Sequence, residues 1–574
     1  MLSIVIVVIF VLNFTESVSL PTFRPFYYLL DPLTHHTHDP MTIKILIADK
    51  LAPEGAIYLS SHSDVEVIEN TGLSGDELIS AISGVDGVIV RSAVKLPKDV
   101  LEKAFSDPNC RLRGIARAGV GVDNIHLPTA TKLGVAVMNS ASASTITTAE
   151  HAFALMISLA RNVASSNAVL RSGGWDRAKY VGVQLAGRTL GIVGMGRIGQ
   201  AMARRALAFG MEVIGFDPYM KETTALDGNV KMLESFDDLI EKVDIVTFHV
   251  PRTEQTDGML GEAQFAKCKP GLLVINAARG GIVNEEALIA ALDAEQCAGA
   301  AIDVYLSEPP DEDHPFRSHP KVLATPHLGA STVEAQEAVA VNACASLLRY
   351  LQGQGLESAV NAGGLDLELN NRQRTFVELA HRMITLLGTV ANLSATKEVT
   401  VELRGQTTEG KGDTIARYAL VSLLQHCCEE PVSIINVTEM ARELGVNATT
   451  VVGSLDAIDS LSIRTSGEKD HVVEGTVHAD GLPRITNIDG CGFDMVPSGH
   501  MIVLFNSDQP GMVGKVGAVL GGSGMNIDEM VIGHGDTDGV AMMVIKSGAA
   551  PSDDVLQALE AIDGISKVAS AEIN

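Results

Sequence analysis

Short apolar runs alternate with stretches of helical spacing through most of this chain. "TIKILIA" from Thr42, "VEVIE" from Val65, "GVIVRS" from Gly87, "RGIARAGV" from Arg113 and "GVAVMNS" from Gly134 read as strands of an α/β unit. They are near-continuous in β-branched and aliphatic residues, as strands of a parallel sheet covered on both faces are. "TTAEHAFALMISLARNV", Thr147 to Val163, has helical apolar spacing and opens a second unit. There "RTLGIVGMGRIGQAMARRALAFGMEVIGFDP" predicts strand, glycine turn, helix and strand, and "DIVTFHV", "LLVINAA", "AGAAIDVY" and "VLATPHLG" predict further strands. A helix is expected after Thr332, to about Leu351, and "GQGLESAVNAGG" reads as a linker. From about Leu365 to Val496 the pattern is mixed α/β with weak signals. The last segment, from "HMIVLF", reads as strand, helix, strand, strand, helix, strand.

At 574 residues the chain is too long for one core. The net charge of −27, with 4% aromatic residues and one Trp, argues against nucleic acid or an anionic membrane as partner. An anionic substrate would have to be met by local arginines. The seven cysteines show no C-x-x-C or metal-ligand spacing, so no metal site and a reducing compartment are expected, the cytoplasm first. The first forty residues do not match the rest. "MLSIVIVVIFVL" is too short to span a bilayer and lacks a basic n-region. It reads as a targeting peptide (plastid or another organelle), as an unstructured extension, or as sequence upstream of a start at Met41.

Gly194-Met195-Gly196-Arg197-Ile198-Gly199 is a G-x-G-x-x-G in the context the motif needs, after a strand and opening a helix. Gly194 permits the tight turn, Gly196 lets backbone N–H groups approach a pyrophosphate, and Gly199 lets helix and strand pack closely. The helix N-terminus adds partial positive charge. Asp217 ends the next strand, where a carboxylate would bind an adenosine ribose diol and repel a 2′-phosphate. NAD is therefore expected rather than NADP.

Three further strand ends carry ionisable groups: Arg279, Glu308 and His327. Oxidation of a secondary alcohol needs a base for the hydroxyl proton, and His327 suits neutral pH. It needs an acid to orient that imidazole, which is Glu308 here. It also needs a cation for the substrate carboxylate, and Arg279 offers a planar fork with no acidic neighbour in sequence until Glu285. Asp303 reads either as a nicotinamide carboxamide contact or as a helix cap.

"GIVGMGRIG", "FDP", "NAARGGIVNEEAL", "AIDVYLSEPP" and "TPHLGAST" together resemble the D-isomer-specific 2-hydroxyacid dehydrogenases. "RSAVKL" and "RAGVGVDNI" resemble more narrowly its long members that oxidise 3-phosphoglycerate with NAD, in the first step of phosphorylated L-serine biosynthesis. The resemblance covers about Thr42 to Asn574. It implies a Rossmann-type doubly wound nucleotide domain (141–327) inserted in a flavodoxin-like substrate domain (41–140 and 328–355). An α+β intervening domain (365–496) and a ferredoxin-like ACT domain (500–574) would follow.

The resemblance further implies NAD contacts by Val120, Ala278, Asp303, Gly329 and Ala330, and substrate contacts by Arg91, Ser92, Arg117, Gly119 and Asn139, with Arg91 on the phosphate. "SGGWDRAKYVG", Ser172 to Gly182, resembles an arm that crosses to a partner subunit, so a homo-oligomer, dimer or tetramer, is expected. "NSASAST" departs from the family's Asn-Ala/Thr-Pro…Asn-Thr at the entry to the nucleotide domain. Asp508 and Asn526 match ACT residues that hold L-serine in relatives, while Asn506 replaces their His or Tyr. Rival readings are a dehydrogenase of another 2-hydroxy acid, an NAD-sensing partner protein, and an amino-acid sensor with a vestigial dehydrogenase.

Overall fold

A computed structural model describes residues 42–220, 226, 228–363, 365, 367–428, 430–535 and 539–573. The readings of residues 1–40 lie outside these residues.

The first five apolar runs form β1 (Ile43–Ile47), β2 (Val65–Glu69), β3 (Gly87–Val90), β4 (Gly114–Arg117) and β5 (Ala136–Asn139). They make one parallel sheet in the order β2-β1-β3-β4-β5, the flavodoxin-like arrangement. The helix Val333–Leu351 returns from far along the chain to cover it, with Leu347 and Leu348 fully buried against Ile45, Ile89 and Ala116. Thr332 caps that helix by accepting the Ala335 N–H. The segment read as a linker is bolted to the sheet. The Val360 N–H bonds the Val137 carbonyl, and the Asn361 amide both accepts from the Val137 N–H and donates to the Val135 carbonyl.

The second unit holds β6 (Thr189–Val193), β7 (Glu212–Phe216), β8 (Val230–Leu233), β9 (Ile245–Phe248), β10 (Leu272–Asn276), β11 (Cys297–Ile302) and β12 (Val322–Ala324). All pair in parallel, in the order β12-β11-β10-β9-β6-β7-β8. The order reverses between β6 and β9, so the ligand crevice opens at the carboxyl ends there. The sequence pattern had not marked β8, a short "VKML" with a lysine in the middle. The helix Thr145–Ala160 leads from the first unit and buries Ala152, Phe153, Leu155 and Met156 against this second sheet.

A third sheet contains β13 (Glu398–Arg404), β14 (Asn447–Val452), β15 (Ser460–Ser466), β16 (His471–Val477), β17 (Pro483–Ile488) and β18 (Cys491–Met495), in the order β14-β13-β15-β16-β17-β18. The fourth, β19 (Gly499–Ser507), β20 (Ile527–His534), β21 (Val540–Ser547) and β22 (Ile565–Ile573), is antiparallel in the order β20-β21-β19-β22. These last two units share a core. Along β19, Ile502 and Leu504 face the unit's own two helices, while Met501 and Val503 face the other way, onto the helix Asn371–Val390 of the third unit. The period-2 alternation of a strand puts apolar residues on both faces because both are covered. The third unit also docks on the first: the Ser433 hydroxyl and Asn436 amide donate to the carbonyls of Gly134 and Lys132. Among the described residues, no single helix is long and apolar enough to cross a membrane, and no group of three His, Cys, Asp or Glu is placed to hold a metal ion.

Candidate active site

The glycine turn leaves β6 through Gly194 at φ +92°, a conformation that L side chains rarely adopt. Gly196 is exposed and its missing side chain would meet nothing, so the backbone lies open to a ligand. A Cβ on Gly199 would lie 2.0 Å from the Gly194 carbonyl oxygen, so only glycine fits where the helix Arg197–Ala208 meets the turn. Arg197 is exposed beside it and Ile198 half-buried. Asp217 reaches back over this turn. Its carboxylate accepts the Met195 and Tyr219 N–H groups, each at 2.9 Å, and retains lone pairs for further donors. Turn, helix N-terminus and carboxylate fit an adenine dinucleotide.

The run "LLVIN" becomes β10, and Asn276 folds the segment after it. The buried Asn276 amide accepts the Ala278 N–H and donates to the Arg279 carbonyl, a local turn that aims Arg279 into the crevice. Glu285 is not the partner of Arg279. It accepts the Leu306 N–H and pairs with His314. The acid that faces Arg279 is Asp123, from the loop after β4 in the other unit, at 3.3 Å from Nε. Gly121 makes this approach possible, because a Cβ there would sit 2.0 Å from Arg279 Nη2.

Arg91 and Arg117, at the ends of β3 and β4, face the same opening. The Arg91 N–H is anchored on Asp49, and Arg117 Nη2 donates to the Ser92 hydroxyl at 3.0 Å. Burial, followed by the charges of Arg279 and Arg91, lowers the Arg117 guanidinium to about 10. Three cations crowded at one mouth make a local anion site in a chain of net charge −27. At this mouth Asn139 Nδ2 donates to the Val120 carbonyl at 2.6 Å, bracing the Gly119–Gly121 turn.

His327 stands at φ +55° on the turn after β12. Its Nδ1 lies 2.6 Å from Glu308 Oε2, and Glu308 Oε1 accepts the Tyr305 N–H at 3.1 Å. Burial alone would raise the Glu308 carboxyl. The bond to His327, its charge, the Tyr305 N–H and Arg279 outweigh it and hold Glu308 below the usual carboxylate range. An ionised Glu308 keeps the proton on Nδ1 and leaves the Nε2 lone pair to act as base.

Asp303 caps no helix and is fully buried. Its oxygens accept the Thr325 hydroxyl at 2.6 Å and the N–H groups of Leu328 and Gly329 at 2.8 and 2.9 Å, with His151 Nε2 at 3.1 Å. Asp303 thus ties down the turn on which His327 and Gly329 sit. Ala330 is tied in turn by the Gln336 amide on its carbonyl. Asn276 and Asp123 stand inside the runs "NAARGGIVNEEAL" and "RAGVGVDNI" without a role assigned to them in sequence, and His151 lies in a plain helical stretch; a polar residue closing an apolar strand run was the one available signal, at Asn276.

In the fourth unit, Asp508 Oδ2 pairs with His534 Nδ1 at 3.1 Å, and the Asn526 amide donates to Asp528. Asn506 is buried in β19. Asp508 lies beside the start of β21, and Asn526 precedes Ile527, which pairs with Ser547 at its end. They are separated by the length of β21, roughly 23 Å at ~3.3 Å per residue.

The family model of the D-isomer specific 2-hydroxyacid dehydrogenase, NAD binding domain, matches residues 153–329. The D-3-phosphoglycerate dehydrogenase intervening domain matches 372–489, and the ACT domain 500–564. The D-3-phosphoglycerate dehydrogenase of Archaeoglobus fulgidus is 34% identical over 532 residues, covering 91% of this chain and 98% of that protein. The Bacillus subtilis enzyme of the same name is 35% identical, covering 92% and 98%. The solved TT0316 protein of Thermus thermophilus superposes with a TM-score of 0.50 at 32% identity, covering 55% of this chain and all of that one.

Proposed function

The chain belongs to the D-3-phosphoglycerate dehydrogenases, and on that premise we propose a division of labour among the residues of its cleft. The enzyme oxidises 3-phospho-D-glycerate to 3-phosphohydroxypyruvate, the first step toward L-serine by the phosphorylated route. NAD, when bound, accepts the hydride. His327 Nε2 takes the hydroxyl proton while Glu308 stabilises the imidazolium through Nδ1. Arg279 clamps the substrate carboxylate, displacing Asp123. Arg91 and Arg117 receive the phosphate, with Ser92 steadying Arg117. Gly194 to Gly199, Val120, Ala278, Gly329 and Ala330 form the walls against NAD, and Asp217 takes the ribose diol. The observation that carries this reading is the Glu308–His327 pair opening on the same crevice as three clustered arginines.

The ACT domain points to an amino-acid ligand. We take it to be L-serine, bound between two copies, because Asp508 and Asn526 of one copy are too far apart to meet on one ligand. The exposed Val163, Leu170, Trp175 and Val181 support an arm between subunits of a dimer or tetramer. The free thiols of Cys268, Cys297 and Cys344 support a reducing compartment, the cytoplasm, or an organelle if residues 1–40 act as a targeting peptide.

A steady-state assay with NAD tests the reading. NADH should form with 3-phosphoglycerate and not with D-lactate or D-glycerate, L-serine should inhibit, and His327→Ala should lose roughly two to four decades of turnover while still binding NAD. Turnover with an unphosphorylated 2-hydroxy acid instead would remove Arg91 and Arg117 from the phosphate role.

A further inference from the structure

The helix Thr145–Ala160 carries His151, a half-buried residue with no part in the division of labour above. The imidazole points at the ends of β11 and β12. Its Nε2 lies 3.1 Å from Asp303 Oδ1 and 3.4 Å from the Thr325 hydroxyl. Asp303 is a carboxylate with no exposure to water, a state that persists only when donors surround it. Four do: the Thr325 hydroxyl, the N–H groups of Leu328 and Gly329, and His151. The two N–H groups immediately follow His327, whose backbone sits in the left-handed region at φ +55°. A non-glycine residue stays there only when its surroundings over-determine it. The Asp303 carboxylate supplies that constraint, and His151 is the donor to it that comes from outside the β11 and β12 ends.

We propose that His151 is a positioning residue for the dehydrogenase reaction: through Asp303 it holds the Leu328 and Gly329 N–H groups and so fixes the turn that aims His327 at the substrate. His151 touches neither substrate nor cofactor in this scheme. Its helix packs on the nucleotide sheet beneath the turn, so the base is referenced to the same rigid body that carries the glycine turn. Misplacing a reacting group by about 1 Å can cost on the order of 100-fold in rate. The loss should therefore fall on kcat and leave 3-phosphoglycerate binding intact.

The proposal rests on His327 being the base, so the test includes His327→Ala. In the full-length enzyme, His151→Leu removes the donor and His151→Gln supplies an uncharged one of similar reach. Expected for His151→Leu is a fall in kcat of about 10- to 100-fold, with KM for 3-phosphoglycerate within about threefold of the parent. His151→Gln should return kcat to within about threefold of the parent. A folded His151→Leu with parental kcat overturns the proposal. So does a His151→Gln as slow as His151→Leu, or a loss carried by KM for 3-phosphoglycerate and by melting temperature instead. If His327→Ala keeps its turnover, the assignment of the base falls first; if it loses turnover while His151→Leu does not, only the role of His151 falls.

Discussion

Asp123→Asn isolates the ion pair that spans the cleft. The carboxylate lies 3.3 Å from Arg279 Nε, and its side chain is 71% exposed. Unit charges at that distance attract by about 5 kcal/mol at an effective dielectric of ~20, but by only about 1.3 kcal/mol in water. The exposure of Asp123 puts the pair near the second figure, in line with the ~0–1 kcal/mol of exposed ion pairs. A substrate carboxylate must break this pair to reach Arg279, whereas in the Asp123→Asn enzyme it would meet an uncommitted guanidinium. One kcal/mol is about a factor of five in affinity. The substitution also removes a negative charge from the cluster in which Arg279 and Arg91 repel Arg117. Both effects have the same sign, so KM for 3-phosphoglycerate should fall by about two- to fivefold at low salt. kcat should stay within about twofold, and KM for NAD should not move, since the pair touches neither reacting atom nor glycine turn. Initial rates at about 50 mM and about 500 mM salt complete the assay; screening should erase most of the difference at the higher value. A KM that is unchanged or raised at low salt would refute the reasoning. It would mean that Asp123 aims Arg279 at the substrate rather than competing with it.

Two further substitutions test the frame around the cleft. Gly199→Ala places a Cβ on the Gly194 carbonyl, backbone against backbone, and overpacking of about 1–3 kcal/mol should weaken NAD by roughly 5- to 150-fold in a fluorescence titration; parental affinity would contradict the close packing of turn and helix. Asp459→Asn acts in the intervening domain, where Asp459 holds Thr407 and Arg372. Burial would raise that carboxyl, but the Thr407 and Arg372 bonds prevail and hold it low. A depressed folded-state pKa stabilises above the unfolded value of about 3.9 and loses that stabilisation as pH falls through the folded value. Thermal melts should show Asp459→Asn less stable by about 1–3 kcal/mol at neutral pH, with the gap closing below about pH 4; a gap that persists in acid would exclude the carboxylate as its source.

The nucleotide turn was legible because parallel strands announce themselves as apolar runs and put their chemistry at their carboxyl ends. Arg279, Glu308 and His327 each follow such a run, and the Rossmann order of the second sheet brings those ends to one crevice. Asp303 follows one too, and in sequence it reads either as a nicotinamide contact or as a helix cap. Only its surroundings distinguish a carboxylate that faces a cofactor from one that anchors a loop. Asp123 could not be paired with Arg279 in sequence, since the two lie on different sheets and meet only across the cleft. The linker failed as a linker because Val360 and Asn361 find the free edge of β5, and backbone edges recruit partners whatever the side chains suggest.

By itself the sequence determined the strands of the two parallel sheets apart from β8, the glycine turn and the family, because these depend on local pattern and on residue type. Tertiary structure alone decided which acid meets Arg279, what holds the His327 turn, and that the ACT sheet shares its core with the helix Asn371–Val390. Those are contacts between residues far apart in the chain. Their strength depends on distance, burial and dielectric, quantities that exist only once the chain has folded.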